Sequence, residues 1–184
     1  MSIEKYKEYV SEHISNVKQV WTDLINLSEF NRFDYVFELD NKNLFISKGD
    51  FSIISMNIAG HDCSKYAQEE LWGYSQWFYP ENEANKNKEI FNYAWNHHQK
   101  ENSHHWQYWI MWKHDGCIAL NMPFYDVIEM LCDWTAMSYK FGDYPSDFYN
   151  KNKKEMLLHK NTTIHIEKWL PVFDQLIQIK HGIG

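Results

Sequence analysis

A histidine followed directly by an aspartate, His61-Asp62, is the feature of this sequence that most strongly suggests chemistry. The pair offers one nitrogen and one oxygen ligand from adjacent positions, a mixture that suits divalent transition metals. Chance also produces such pairs, and His114-Asp115 is a second copy. The first copy differs because further residues of metal-ligand type accompany it along the chain: His13, His97-His98, His104-His105 and Asp133. This order predicts a one- or two-metal site whose ligands come from several helices.

The segment 96–106 contains four histidines in nine residues: His97, His98, His104 and His105. In a continuous helix, equivalent members of the two pairs would share one face, two turns apart. Seven residues rise about 10 Å, which is too far for both to bind one ion easily. They would then flank a two-metal centre, or one would bind metal while the other contacts substrate. A break in the helix near Asn102-Ser103 would change this geometry. The alternative to these functional interpretations is a polar surface helix whose histidines are incidental.

Asp133 and His13 are both expected to face the protein interior. Asp133 lies in the segment 127–137, which is apolar on nearly every face. A buried carboxylate is destabilising unless it is paired, hydrogen-bonded or coordinated to metal, so the alternative to a ligand is a carboxylate satisfied by Lys, Arg, Tyr or Trp donors. His13 lies on the apolar stripe of an amphipathic helix predicted over residues 3–25. Taken alone it would be a core histidine bonded to a carbonyl, and only the whole set favours a ligand.

The other elements that position these residues are also predicted to be helical. Apolar and aromatic patterning indicates helices over residues 51–59, 68–78, 88 to about 112, 123–141 and, for about a turn, within 143–159. Thr162 or Thr163 is expected to cap a last helix, which Pro171 should kink. Residues 27–50 fit a hairpin or a loop with short helices equally well, and Asp115-Gly116 marks a turn. The prediction is one all-α domain spanning residues 1–184.

Composition narrows the function classes. A chain of 184 residues with 44% hydrophobic residues is long enough to bury a core. The net charge of −7 argues against nonspecific nucleic-acid binding. We expect no signal peptide and no membrane-spanning segment. The three cysteines are widely spaced, which suggests neither disulfides nor a thiolate zinc site. A cytoplasmic protein, of a bacterial cell or a phage-infected host, is the simplest expectation, and the oligomeric state is left open.

The ligand order resembles that of a known superfamily. His13, His61-Asp62 and Asp133 follow one another as in the HD superfamily of metal-dependent phosphohydrolases, which has an all-α fold. The run His61-Asp62-Cys63-Ser64-Lys65 also resembles the HD-x-G-K form of that motif, in which the lysine contacts a phosphate; here serine replaces the glycine. The histidine pairs look like the extra histidines of two-metal members. From Tyr9 to about Trp169 the chain resembles an uncharacterised family of bacterial and phage HD-like proteins, most closely within residues 61–66, 94–98, 102–109 and 122–134.

This resemblance implies roles for particular residues. The implied metal ligands are His13, His61, Asp62, His97, His98, His104 and Asp133. His13, His61, Asp62 and Asp133 would form a primary site of two histidines and two aspartates, which suits Mn, Fe, Co, Ni or Zn and is poor for Mg alone. One or two of the paired histidines (His97, His98, His104 and His105) would complete a second site or hold substrate, so that the protein would bind one or two ions. The implied catalytic residues are Asp62, Lys65 and His98. The implied substrate contacts are Lys65, His104 and His105.

The implied function is hydrolysis of a nucleotide or another small phosphorylated metabolite. Two alternatives stay open: an HD-fold di-iron oxygenase, and a non-catalytic ligand-binding or interaction protein. Glu69, Glu70 and Glu129 are the carboxylates best able to act as acid or base, although the first two begin a helix that looks solvent-facing. Cys63 is expected to be a small buried filler. The four aromatic residues that follow the histidines are expected to pack in the core and its rim, or to wall a pocket: Trp106, Tyr108, Trp109 and Trp112.

Overall fold

The chain is mostly helical in the computed structural model, which describes residues 2–182. Seven α-helices are present in this part: α1 (Ser2–Asn26), α2 (Lys48–Gly60), α3 (Gln68–Phe78), α4 (Lys88–Glu101), α5 (Phe124–Phe141), α6 (Pro145–Asn152) and α7 (Lys160–His181). The helices predicted near 3–25, 51–59, 68–78 and 123–141 are confirmed, with bounds that differ by a few residues. None of the helices in residues 2–182 is long and apolar enough to cross a membrane.

Two small antiparallel sheets correct the expectation of an all-α domain. The first joins β1 (Glu29–Phe30), β2 (Asp34–Leu39) and β3 (Lys42–Ser47). Asp40 and Asn41 connect β2 to β3 with φ angles of 48° and 61°, as expected for a two-residue hairpin loop. The second sheet is a hairpin of β4 (Ile110–Lys113) and β5 (Gly116–Ala119). The alternation of buried and exposed side chains along β3 shows why these segments are strands, since it has a period of two.

Helix α5 is the central element of the core. It packs against α1, α2, α6 and α7, and most of its side chains are buried. Pro123 precedes its first turn and Gly142 ends it with a φ of 82°, a left-handed conformation that glycine adopts without strain. The apolar stripe of α1 faces this core, and His13 is buried within it. The histidine of α1 and the aspartate of α5 are therefore brought to the same interior region.

The helix that carries the first histidine pair ends before the second pair, near the position where a break was considered, Asn102-Ser103. Helix α4 ends at Glu101, and Asn102 leaves the helical conformation with a φ of −114°. His104 and His105 therefore lie in a turn that precedes a short 3-10 helix, Trp106–Trp109. The predicted cap of α7 was wrong: the His159 side chain accepts from the Asn161 amide, whereas the hydroxyl of Thr162 accepts from the Met122 amide. Pro171 lies within α7.

Candidate metal centre

Asp62 lies at the centre of a buried cluster of histidines and carboxylates. It follows the end of α2 with a φ of 58°, a left-handed conformation that Asp and Asn tolerate better than most residues. Its side chain is only 1% exposed, and a short 3-10 helix, Cys63–Tyr66, begins directly after it. The sharp change of direction here turns the carboxylate inward between α1, α4 and α5.

One carboxylate oxygen of Asp62 faces the first group of candidate ligands, which comprises His13, His61 and Asp133. The Asp62 Oδ2 atom lies 3.3 Å from His13 Nε2 and 3.5 Å from His61 Nε2. Asp133 Oδ1 lies 3.0 Å from the same nitrogen of His13 and 3.8 Å from that of His61. Four side chains from α1, the end of α2 and α5 therefore converge on one point.

The other oxygen of Asp62 faces the second group, which comprises His98, His104 and His105. The Asp62 Oδ1 atom lies 3.3 Å from His98 Nε2 and 3.5 Å from His104 Nε2. His105 Nε2 lies 2.9 Å from His98 Nε2. One potential ligand atom from each of these residues and from Asp62 lies within 4.8 Å of all the others. Asp62 thus stands between two clusters and presents a different oxygen to each.

The unsatisfied polar atoms of the cluster test whether these residues fit a metal. His61 Nε2, Asp62 Oδ1 and His104 Nε2 are buried and have no hydrogen-bond partner among the described residues. Buried polar atoms are nearly always paired in native proteins, so three such atoms in one cluster indicate a missing partner. Two ligand atoms that are each about 2.1 Å from one ion lie roughly 3.0–3.4 Å apart. Separations of 3.0 to 3.5 Å dominate here, so these residues could hold a metal ion.

Two buried glutamates hold the histidine rings in orientation. Glu129 Oε1 lies 2.9 Å from His61 Nδ1 and 3.2 Å from His104 Nδ1. Glu70 contacts the Nδ1 atoms of His98 and His97, both at 2.8 Å. A hydrogen bond donated from Nδ1 leaves the Nε2 lone pair free for a metal, which is the arrangement typical of metal-bound histidines. Both carboxylates therefore contact the Nδ1 atoms of candidate ligands and orient their Nε2 atoms.

These glutamates differ from the sequence-based expectation. Glu70 was expected on a solvent-facing helix but its side chain is fully buried, whereas Glu69 is exposed. The reason is the close packing of α3 on α4: a Cβ added at Gly73 would lie 2.8 Å from the Cβ of Ala94. Glu129 was expected to serve the site as an acid or base, and it does lie at the site, one helical turn before Asp133 on the same face; its contacts are with the rings of His61 and His104.

The charges of the cluster shift the pKa values of its members strongly. Burial alone would lower the pKa of His61, but Asp62, Asp133 and Glu129 outweigh it and raise the pKa to about 10. Burial would raise the pKa of Glu129, but hydrogen bonds from His104 and His61 lower it to about 2. The pKa of Asp62 lies well below its usual value despite burial, because Lys65 and the histidines surround it. The cluster therefore holds its carboxylates ionised.

The remaining predicted site residues are placed as follows. Lys65 Nζ donates to Asp62 Oδ2, so it lies beside the first group. His97 lies outside every cluster able to hold a metal in the described residues; its ring contacts Glu70 and is 34% exposed. Cys63 is exposed, so the expectation of a buried filler was wrong. His114 and Asp115 form the exposed turn of the β4–β5 hairpin and take no part in the cluster.

A cavity of about 480 Å³ opens onto the cluster. His13, Lys65, His98, His105 and Asp133 line one part of it. The rest is lined mainly by aromatic and methionine side chains, among them Trp95, Trp106 and Trp134. Of the four aromatics expected to pack or to wall a pocket, Trp106 does line this cavity, whereas Trp112 is 79% exposed. The size falls in the range of small-molecule sites in proteins.

Replacing Glu70 by Gln should weaken metal binding at the second group by about 10- to 100-fold, the usual effect of losing a partner that orients a metal-binding histidine. The amide keeps the size of the carboxylate but loses the charge that holds His98. Competition of a coloured chelator against the protein for Zn²⁺ measures this affinity. Glu69→Gln is the matched control, since Glu69 is adjacent and exposed and should leave affinity unchanged. Equal affinities for the two variants would show that Glu70 does not orient a ligand.

Comparison with known proteins gives a family but no activity. The sequence model of DUF5662, a family of unknown function, matches residues 2–171. That match includes every residue of both candidate ligand groups. A comparison with curated proteins finds no match, and a comparison with solved structures finds none either. The chain therefore belongs to DUF5662, a family of unknown function.

Proposed function

We propose that this protein is a metal-dependent phosphohydrolase of the HD type that acts on a small phosphorylated molecule. The observation that carries the proposal is the position of Asp62 between two groups of histidines, with one carboxylate oxygen directed at each. A carboxylate shared in this way could link the two ions of a hydrolytic two-metal site, which lie about 3.5–4 Å apart. The order of the ligands along the chain, which resembles that of the HD superfamily, supports the same assignment.

The ligands divide between the two groups. His13, His61, Asp133 and Asp62 Oδ2 would hold one ion, and His98, His104 and Asp62 Oδ1 would hold the other. Bound metals of this kind lower the pKa of a water molecule and polarise a phosphoryl oxygen. His105 lines the cavity and touches His98, so it is positioned to contact either an ion or the substrate.

Lys65 is the side chain that would add positive charge to that of the bound metals. Its ammonium group contacts Asp62 and lines the cavity. An ammonium has three donors, so it can keep the contact with Asp62 and also donate to a phosphate oxygen. In a protein of net charge −7 such local positive charge is needed to bind an anion. Lys65 is therefore the proposed phosphate contact.

A screen of phosphorylated small molecules against the Mn, Co and Fe forms of the protein tests the proposal. We expect metal-dependent release of phosphate from at least one compound. The Asp62→Asn variant should show no release above background, whereas Asp115→Asn in the exposed second His-Asp pair should match the wild type. Turnover that survives in Asp62→Asn would assign it to a contaminant and contradict the proposal.

A di-iron oxygenase is the second candidate. The observation that favours it is the apolar wall of the cavity. Such a wall would exclude water and so prevent side reactions of an oxygenase, whereas hydrolysis needs water as a reactant. The two functions use the same ligands and differ in cofactor and co-substrate. Oxygen consumption by the Fe form, without phosphate release and without activity of the Mn form, would replace the hydrolase by the oxygenase.

A further inference from the structure

The cavity beside the candidate metal centre has two chemically different ends. The polar end contains Lys65 and four of the candidate ligands, His13, His98, His105 and Asp133. Among the described residues that line the cavity, Lys65 is the only Lys or Arg. The rest of the lining consists mainly of large apolar side chains, together with Gln107, Ser138 and one acid, Asp143. All positive charge, from Lys65 and from any bound metal, is therefore confined to one end.

The apolar end is built from several elements and partly reaches the surface. Trp134 and Met137 come from α5, Phe148 comes from α6, and Trp106 begins the 3-10 helix after the histidine turn. Trp95 of α4 also lines the cavity but lies beside the histidines, with its ring centroid 5.4 Å from that of His105. The rings of Trp134 and Phe148 lie 5.1 Å apart. Phe148 is 41% exposed and Phe141, on the same wall, is 66% exposed. Large apolar side chains left in partial contact with water around a cavity favour an apolar ligand, because binding would remove them from water.

This arrangement restricts the ligand. A second or third phosphate extending from the metal end would meet apolar rings and the carboxylate of Asp143, and the described lining offers no further Lys or Arg to pair with it. The charge of a single phosphate would be paired with positive charge at the metal end, and the remainder of the ligand would lie against the aromatic rings. Gln107 contributes one buried oxygen to this lining, which has no hydrogen-bond partner in the part of the chain that the structure describes and could accept from one donor on the ligand.

We propose that the site is specific for monophosphate esters of compact aromatic molecules, and that it discriminates against di- and triphosphates. The proposal rests on the proposed function for the phosphate end, and on the cavity wall for the aromatic end. It names Trp134 and Phe148 as residues that determine specificity without taking part in the chemistry.

Binding of non-hydrolysable phosphonates to the Zn-loaded protein tests this proposal separately from catalysis. Isothermal titration would compare phenylphosphonate, methylphosphonate and pyrophosphate. We expect phenylphosphonate to bind about tenfold or more tightly than methylphosphonate, because the ring buries apolar surface against the wall. Pyrophosphate should bind no more tightly than methylphosphonate. Equal affinity for the two phosphonates, or tightest binding of pyrophosphate, would overturn the proposal.

Substitutions in the cavity wall test which residues cause the preference for phenylphosphonate. Trp134→Leu and Phe148→Ala should each reduce the preference for the phenyl compound to about twofold while leaving methylphosphonate affinity unchanged. Phe148 is partly exposed, so that its replacement should preserve the fold even if Trp134→Leu does not. Trp112→Ala, in the β4–β5 hairpin outside the cavity, is the matched control and should keep the full preference. A preference that persists in both wall variants would contradict the assignment.

The outcome also separates this inference from the proposed function. Preferential binding of phenylphosphonate without hydrolysis of phenyl phosphate by the Mn, Co or Fe form would retain the specificity and reject the hydrolase. Hydrolysis of phosphorylated molecules with no preference for an aromatic group would retain the hydrolase and reject the specificity.

Discussion

Replacing Asp62 by Asn should remove most of the metal from both groups of candidate ligands at once. Asp62 presents Oδ2 to His13 and His61 and Oδ1 to His98 and His104, so it is the candidate ligand that the two groups share. An amide has a single oxygen and no charge, and it cannot link two ions. Asn is also compatible with the φ of 58° at this position. The loss of metal affinity should exceed the roughly 10- to 100-fold loss that is typical when a hydrogen-bond partner of a metal ligand is replaced.

Single-group variants show whether Asp62 is truly shared. His13→Ala should reduce the metal content of the first group and His104→Ala that of the second, each by about half of the total if two ions bind. Elemental analysis of protein purified without chelator or nickel resin gives the stoichiometry. Asp115→Asn is the control, because this aspartate belongs to the exposed second His-Asp pair. Unchanged metal content in Asp62→Asn would remove the assignment of the centre.

Periodicity and local signals were enough to predict the helices that carry the candidate ligands. The stripe of α1 placed His13 in the interior, and the apolar character of α5 placed Asp133 there. Pro123 and Gly142 marked the ends of α5 by the usual preferences of proline and glycine. What local patterns could not predict was the region 29–47, where short strands and short helices fit the same composition. Its pairing as a three-stranded sheet depends on contacts with the core, through residues such as Phe37.

The arrangement of the histidine segment depended on a single break. As one helix, His98 and His105 would be about 10 Å apart, but the end of α4 at Glu101 brings their Nε2 atoms to 2.9 Å. Nothing in the local sequence required that break. Asn102 reveals its role only in the structure, where its side-chain amide donates to Ser64 Oγ at 2.8 Å and to the carbonyl of His98 at 2.8 Å. The orienting role of Glu70 likewise depends on the packing of two helices.

Replacing Lys65 by Ala should leave the metal content intact and lower the kcat/KM for a phosphorylated substrate by about 100-fold, the usual effect of removing one donor from a developing anion. The physical reason is the position of its ammonium group, which lines the cavity beside Asp62. Burial would lower the pKa of Lys65, but Asp62 and Asp133 outweigh it and raise the pKa above its usual value. Lys65 therefore carries its charge throughout the neutral pH range.

The two measurements on Lys65→Ala must be made together, since Lys65 also neutralises part of the charge of Asp62. Elemental analysis reports the metal, and phosphate release under subsaturating substrate reports kcat/KM. Lys100→Ala is the control, because this lysine is exposed near the end of α4 and should change neither quantity. Loss of metal from Lys65→Ala would make Lys65 a support for Asp62. Unchanged metal with unchanged turnover would exclude it as the phosphate contact, and the hydrolase proposal would then rest on the metal ligands alone.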